Sequence, residues 1–159
     1  MGKIKLEQNT KLENDRRQAN EITRTGEHKL EDAALSRSAL DRIKAVDDDD
    51  TQAIEAAQRD AGSIAKHIAR SEVREPGDKT ARSLEKTGET CTDYGNTELD
   101  NSRTAREMSG DFGDTGGRLG ASLLESGKEF LDIARRSEQA GDKLKADFER
   151  IAKALEGAF

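Results

Sequence analysis

The chain has no tryptophan, one proline, one cysteine and two valines. Each shortage removes an option. Strands draw on β-branched and aromatic residues, so little material is left for a sheet. A lone Cys91 excludes an internal disulfide. No run of about 18 apolar residues occurs, and "MGKIKLEQNT" lacks an apolar core of signal-peptide length, so no membrane insertion is expected. The expectation is a soluble protein made in the cytoplasm, with export by a leaderless route left open. Acidic residues outnumber basic ones, 33 to 27, for a net charge of −6. Nucleic-acid binding normally needs a basic face, and no such partner is expected.

Large apolar residues are also scarce. Leu, Ile, Val and Phe number 27 of 159, below the roughly one-fifth at which disorder becomes a concern. Two features oppose disorder. The charges are mixed, and Ala, Glu, Lys, Leu and Arg supply close to half of the chain, the composition of long helices and coiled coils. A thin apolar seam suits paired helices and does not enclose a deep, dry pocket.

Residues 1–9 read as an arm, because Thr10-x-x-Glu13 fits a capping box that would start the first helix. That helix carries Leu12, Ala19, Ile22, Gly26, Leu30, Ala33, Leu40 and Ile43 at helical spacing, with Gly26 as a weak point. "VDDDDT" reads as a turn whose carboxylates, Asp47 to Asp50, precede the next helix; a calcium loop would need spaced ligands and a turn glycine. The second helix carries Ile54, Ala57, Ala61, Ile64, Ile68 and Val73. "REPGD" then predicts a break at Pro76-Gly77, since proline cannot continue the helical ladder.

A third helix follows, weak but continuous through Gly95, with a seam of Ala81, Leu84, Gly88, Cys91, Gly95, Leu99, Ser102, Ala105 and Met108. "SGDFGDTGGR", glycine-rich and without the Gly-Lys-Ser/Thr of a phosphate loop, predicts a turn with Phe112 tucked onto the core. The last helix has a near-heptad seam: Leu119, Leu123, Ser126, Phe130, Ile133, Ser137, Ala140, Leu144, Phe148, Ile151 and Leu155. The fold class is therefore all-α. The predicted architecture is two unequal antiparallel hairpins, residues 10–74 and 78–157, in an elongated bundle or coiled coil.

Catalytic chemistry finds no footing in the pattern. His28 and His67 lie on different helices and neither has a second His or Cys at i+3 or i+4, and no nucleophile elbow occurs. Cys91 lies on a seam, the setting of a buried structural thiol. No enzyme activity, metal or cofactor is expected. Helical rods without a pocket bind other helices. Facing a third helix of small residues, the last one is expected to keep seam side chains for a partner: Leu119, Leu123, Phe130, Ile133, Leu144, Phe148, Ile151 and Leu155.

The opening "MGKIKLEQNTKLENDRRQANEI" is similar to the starts of small WXG-family proteins of type VII secretion. "TGGRLGASLLESGKEFLDIARRSEQAGDKLKADFERIAKAL" resembles the second helix of such a hairpin. The chain departs from the family in lacking Trp-x-Gly at the hairpin turn, where "FGDTGG" stands, and in being longer than one hairpin. Its length resembles that of accessory helical proteins that accompany LXG-type toxins. The resemblance implies an adaptor, chaperone or targeting partner that binds the toxin's helical amino-terminal domain. It also implies an export signal in "YGNTE", where Tyr94 and Glu98 match a Tyr-x-x-x-Asp/Glu pattern. Two alternatives stand beside this: a structural coiled-coil scaffold or homodimer, and a small acidic inhibitor or immunity protein. For the isolated chain, circular dichroism should show well over half of the residues helical and essentially no sheet. A spectrum dominated by random coil would refute the helical reading.

Overall fold

The computed structural model describes residues 2–46 and 51–159, with the side chains of all but Asp111 and Phe112. It is all-α: no strand occurs among the described residues. The elements are α1 (Gly2–Val46), α2 (Thr51–Ile68), a π-helical turn (Ala69–Arg74), α3 (Glu75–Glu107), α4 (Ser109–Phe112) and α5 (Asp114–Glu156). The predicted Asp47–Asp50 turn and the Phe112 side chain lie outside the described residues.

Two boundaries differ from expectation. The arm at residues 1–9 is helical, with α1 starting at Gly2 and running through Thr10. Packing outweighs the local capping signal there. Lys5 donates to Ser126 and Glu129 at 2.8 and 2.7 Å, and Gln8 and Leu12 are buried.

The second difference is at Pro76-Gly77, where no break occurs. Helix α2, the π turn and α3 follow one another without interruption. Proline lacks an N–H, and its ring crowds the carbonyl four residues back. The wider π turn just before it, in which Glu75 N–H reaches the carbonyl of Arg70, absorbs that conflict without ending the helix. Gly77 then serves close packing: a Cβ there would stand 2.6 Å from the Phe148 ring. Residues 74–78 are therefore not a boundary between two hairpins.

Close contacts divide the chain into two units, each drawing on all three long helical runs. Unit 1 is Met1–Arg16 with Arg82–Gly141; unit 2 is Arg17–Ala81 with Asp142–Phe159.

In unit 1, α3 and α5 run antiparallel: Ser102 Oγ donates to the Gly120 carbonyl at 2.5 Å and Ser137 Oγ to the Leu84 carbonyl at 2.6 Å. Segment 2–16 of α1 lies parallel to α5, pairing Lys5 with Glu129 and Asn9 with Arg136. Its Asp15 accepts from Ser83 of α3. The core holds Leu12, Leu84, Cys91, Phe130 and Ile133. Helix α3 is continuous through Gly95, as the spacing predicts. The predicted turn between α3 and α5 narrows to the short α4 and Gly113, which has φ +62°.

In unit 2, the core consists of Ile22, Ile54, Ala65, Ala69, Val73, Leu144, Phe148, Ile151 and Leu155, with Ala19 and Ala33. Gly26, expected as a weak point, is a contact position: a Cβ there would stand 2.9 Å from Ile151. Ion pairs Glu27–Arg150 and Arg74–Glu156 flank this core.

Helices α3 and α5 approach closely at Gly95 and Gly127. A Cβ on Gly127 would lie 3.0 Å from the Gly95 carbonyl, and one on Gly95 would lie 2.7 Å from Leu131. A methyl group at Gly127 must therefore push against backbone. Gly127→Ala should lower stability by about 1–3 kcal/mol in denaturant unfolding. Gly117→Ala, with nothing within 4 Å of its Cβ, should raise it by up to ~1 kcal/mol. Equal effects of the two changes would contradict the close approach.

Candidate functional site

Heptad spacing places the α5 seam inward, and its side chains are consumed by the chain's own packing. Phe130, Ile133, Leu144, Phe148, Ile151 and Leu155 are all at most 7% exposed. Leu123 is half-buried and Leu119 is 54% exposed. Of the eight residues nominated for a partner, only these last two offer surface. The expected imbalance with α3 is met from within: in unit 1, Tyr94 stacks on Phe130 with ring centres 5.3 Å apart, and the Lys5 ammonium lies 5.0 Å from the same ring.

Other exposed large apolar side chains lie off this seam. In unit 2, Leu35 is 70%, Ile43 52%, Val46 88% and Ile64 61% exposed. Leu35, Ala39, Ile43 and Val46 follow one another by four, four and three residues, so they form one stripe on the last turns of α1. Ile43 and Ile64 were expected in seams. The buried residues of the second run are instead Ile54, Ala65, Ala69 and Val73, leaving Ile64 at the edge. The extra residue of the π turn shifts the helix face before it relative to the face after it. Composition hides such a shift. Leu35 and Val46 went unnoticed because they sit off the main stripe.

Tyr94 and Glu98, the pair matching the export pattern, are not displayed together. Tyr94 is half-buried against Phe130, and Glu98 is 1% exposed. Both carboxylate oxygens of Glu98 are buried without a hydrogen-bond partner among the described residues. Its position was legible: Leu84, Cys91, Glu98 and Ala105 recur every seven residues, and all four are buried. Ser102, one turn on along α3, is engaged elsewhere, donating to the Gly120 carbonyl.

Cys91 is fully buried, and burial pushes its thiol above the ordinary range, with Lys11 pulling weakly the other way. On the surface of unit 1, a groove between α1 and α5 is lined by Lys5, Leu6, Asn9, Asp132, Ile133 and Arg136. Arg136 binds Asp132 at 3.1 Å and reaches Asn9 and Glu13. The hydrogen bond from Arg135 holds the Asp132 carboxyl below its usual range. The stability this pairing contributes is complete above the ordinary aspartate range and is lost only as pH falls through the depressed value.

No cluster of three His, Cys, Asp or Glu side chains is placed to hold a metal ion among the described residues. Among them, no helix is long and apolar enough to cross a membrane. His28 is exposed, 3.8 Å from Glu31.

No protein-family model, curated protein or solved structure matches this chain.

An unpaired carboxylate out of water opposes folding. Glu98→Leu should therefore raise stability by about 1–3 kcal/mol in thermal or denaturant unfolding; a loss of that size would show that Glu98 holds the core together. Cys91 should react slowly with a thiol reagent in the folded chain and rapidly in denaturant, since thiolate formation and access both require opening.

Proposed function

We propose that the chain is a helical protein–protein interaction module, acting as an adaptor or targeting partner for a type VII-like secretion substrate. The association part rests on one observation, the apolar stripe of Leu35, Ala39, Ile43 and Val46 on α1 in unit 2, which no described residue of the chain covers. Large apolar side chains in register on a helix face are what helix-in-groove recognition uses. The secretion part rests on resemblance: "MGKIKLEQNTKLENDRRQANEI" is similar to the starts of small WXG-family proteins, and Thr115–Leu155 to the second helix of their hairpin. In that reading the antiparallel α3 and α5 are the WXG-like hairpin, closed at Gly113, and the partner is the helical amino-terminal domain of an LXG-type toxin.

The test is co-expression with such a domain and size-exclusion chromatography of the product. A stable complex is expected, and the double change Leu35→Glu with Val46→Glu should abolish it. Because both sites are exposed, the stability of the free chain should move by less than about 0.5 kcal/mol per site. Phe148→Ala, in contrast, should cost about 3–5 kcal/mol of stability. A chain that forms a stable homo-oligomer through the stripe and ignores the toxin domain would favour the scaffold alternative.

A further inference from the structure

The apolar stripe of α1 in unit 2 belongs to a longer pattern. Asp32, Leu35, Ala39, Arg42 and Val46 follow one another by three, four, three and four residues, and all five are exposed. That spacing is a heptad seam, the pattern by which one helix packs lengthwise on another. Ile43 stands beside it, 52% exposed. The far side of the same helix, with Ile22, Gly26 and Ala33, is the one buried in the unit's own core. Helix α1 therefore carries a second seam, turned to solvent.

Two charges of opposite sign sit on this seam. Asp32 lies one turn before Leu35 and Arg42 one turn after Ala39, about 15 Å apart along the axis. Other charges on these turns are engaged within the chain: Arg37 holds Asp41 at 3.3 Å, and His28 stands 3.8 Å from Glu31. Asp32 and Arg42 make no ion pair or hydrogen bond among the described residues. In a paired seam, a polar residue at such a position fixes the register and the choice of partner. The order of the charges also bears on direction. A helix antiparallel to α1 meets Arg42 with its amino-terminal part and Asp32 with its carboxy-terminal part. Complementarity then places its acid early and its base late, the arrangement that its own dipole favours. A parallel helix would need the reverse.

We infer that the α1 seam accepts an antiparallel amphipathic helix of a partner protein, with an acidic residue set against Arg42 and a basic residue set against Asp32. Its apolar face lies on Leu35, Ala39, Ile43 and Val46. The apolar contact supplies affinity. The two charges select against helices of the wrong order or direction, because a mismatch sets like charges together. The inference rests on the reading of the chain as an interaction module, and it names the chemistry and direction of the helix that its stripe takes.

The test uses the full chain and synthetic amphipathic peptides of about four helical turns with a leucine seam. The matched peptide has glutamate near its amino end and arginine further on, at the spacing that separates Asp32 from Arg42. The exchanged peptide has the two charges reversed. The matched peptide should bind on the order of tenfold more tightly by fluorescence anisotropy, since exchange turns two attractive contacts of the antiparallel pair into repulsive ones. The double change Asp32→Arg with Arg42→Asp should invert that preference and leave the helical circular dichroism unchanged, and Leu35→Glu should weaken both peptides. A spin label at the amino end of the matched peptide should broaden amide signals near Val46 and spare those near His28. Equal affinities, a preference that survives the double change, broadening near His28 instead, or absence of saturable binding would each overturn the proposal. So would a chain that covers the stripe with a second copy and excludes both peptides. If the peptides fail but toxin-domain binding still depends on Leu35 and Val46, this inference falls while the reading of the chain as a module stands.

Discussion

The close approach of α3 and α5 at Gly95 and Gly127 sets the terms for unit 1. Backbone can stand this near backbone only where side chains are missing, which is why the facing positions are Gly88, Gly95, Gly120 and Gly127. Serines close the remaining gap by donating to carbonyls across the seam, Ser102 to Gly120 and Ser137 to Leu84. Each satisfies a buried hydroxyl that would otherwise oppose folding. Across the seam each glycine also makes room for a leucine of the facing helix, Leu131 against Gly95 and Leu99 against Gly127. Phe130 is enclosed by Tyr94 and Lys5. The thin apolar stripe of α5 thus reflects tight pairing.

What was legible in the sequence follows the same division between pattern and packing. Periodicity carries over many turns, so helix type, the continuity of α3 and the burial of Leu12, Leu84, Cys91 and Ile151 could all be read from it. Local punctuation misled in two places, because each signal was weighed without its tertiary context. Thr10-x-x-Glu13 is a sound cap in isolation, but the preceding residues gain contacts with α5 that extend the helix to Gly2. Pro76 is a helix breaker in a regular α-helix, and here the π turn removes its conflict. A chain whose single proline is accommodated in this way has no hairpin boundary where composition places one.

The candidate site was less legible for a related reason. A seam read as apolar or small directs attention to Phe130, Phe148 and Ile151, which turn out to be the core. The exposed apolar side chains fall partly on the expected seams and partly off them. Leu35, Ile43 and Val46 are exposed on α1, and Ile64 lies off the face of α2 that buries Ile54 and Ala65. Glu98 is the complementary case, a charge on the seam itself. Its heptad position was visible in the sequence, but the absence of a partner for its carboxyl oxygens among the described residues emerges only from the packed structure.

Two features depart from a consistent core, one in each unit: an exposed apolar stripe and a buried carboxyl unpartnered among the described residues. The α1 stripe in unit 2 offers apolar area, on which the hydrophobic effect acts without regard to the partner's sequence. Area of that kind favours association and discriminates poorly. Glu98 in unit 1 departs from consistency in another way. Its carboxyl is buried, with neither oxygen hydrogen-bonded among the described residues, and a polar group so placed opposes folding unless it is satisfied. An apolar residue at this position would improve the free fold. Departures of this kind are expected at functional sites more than in a uniformly packed core.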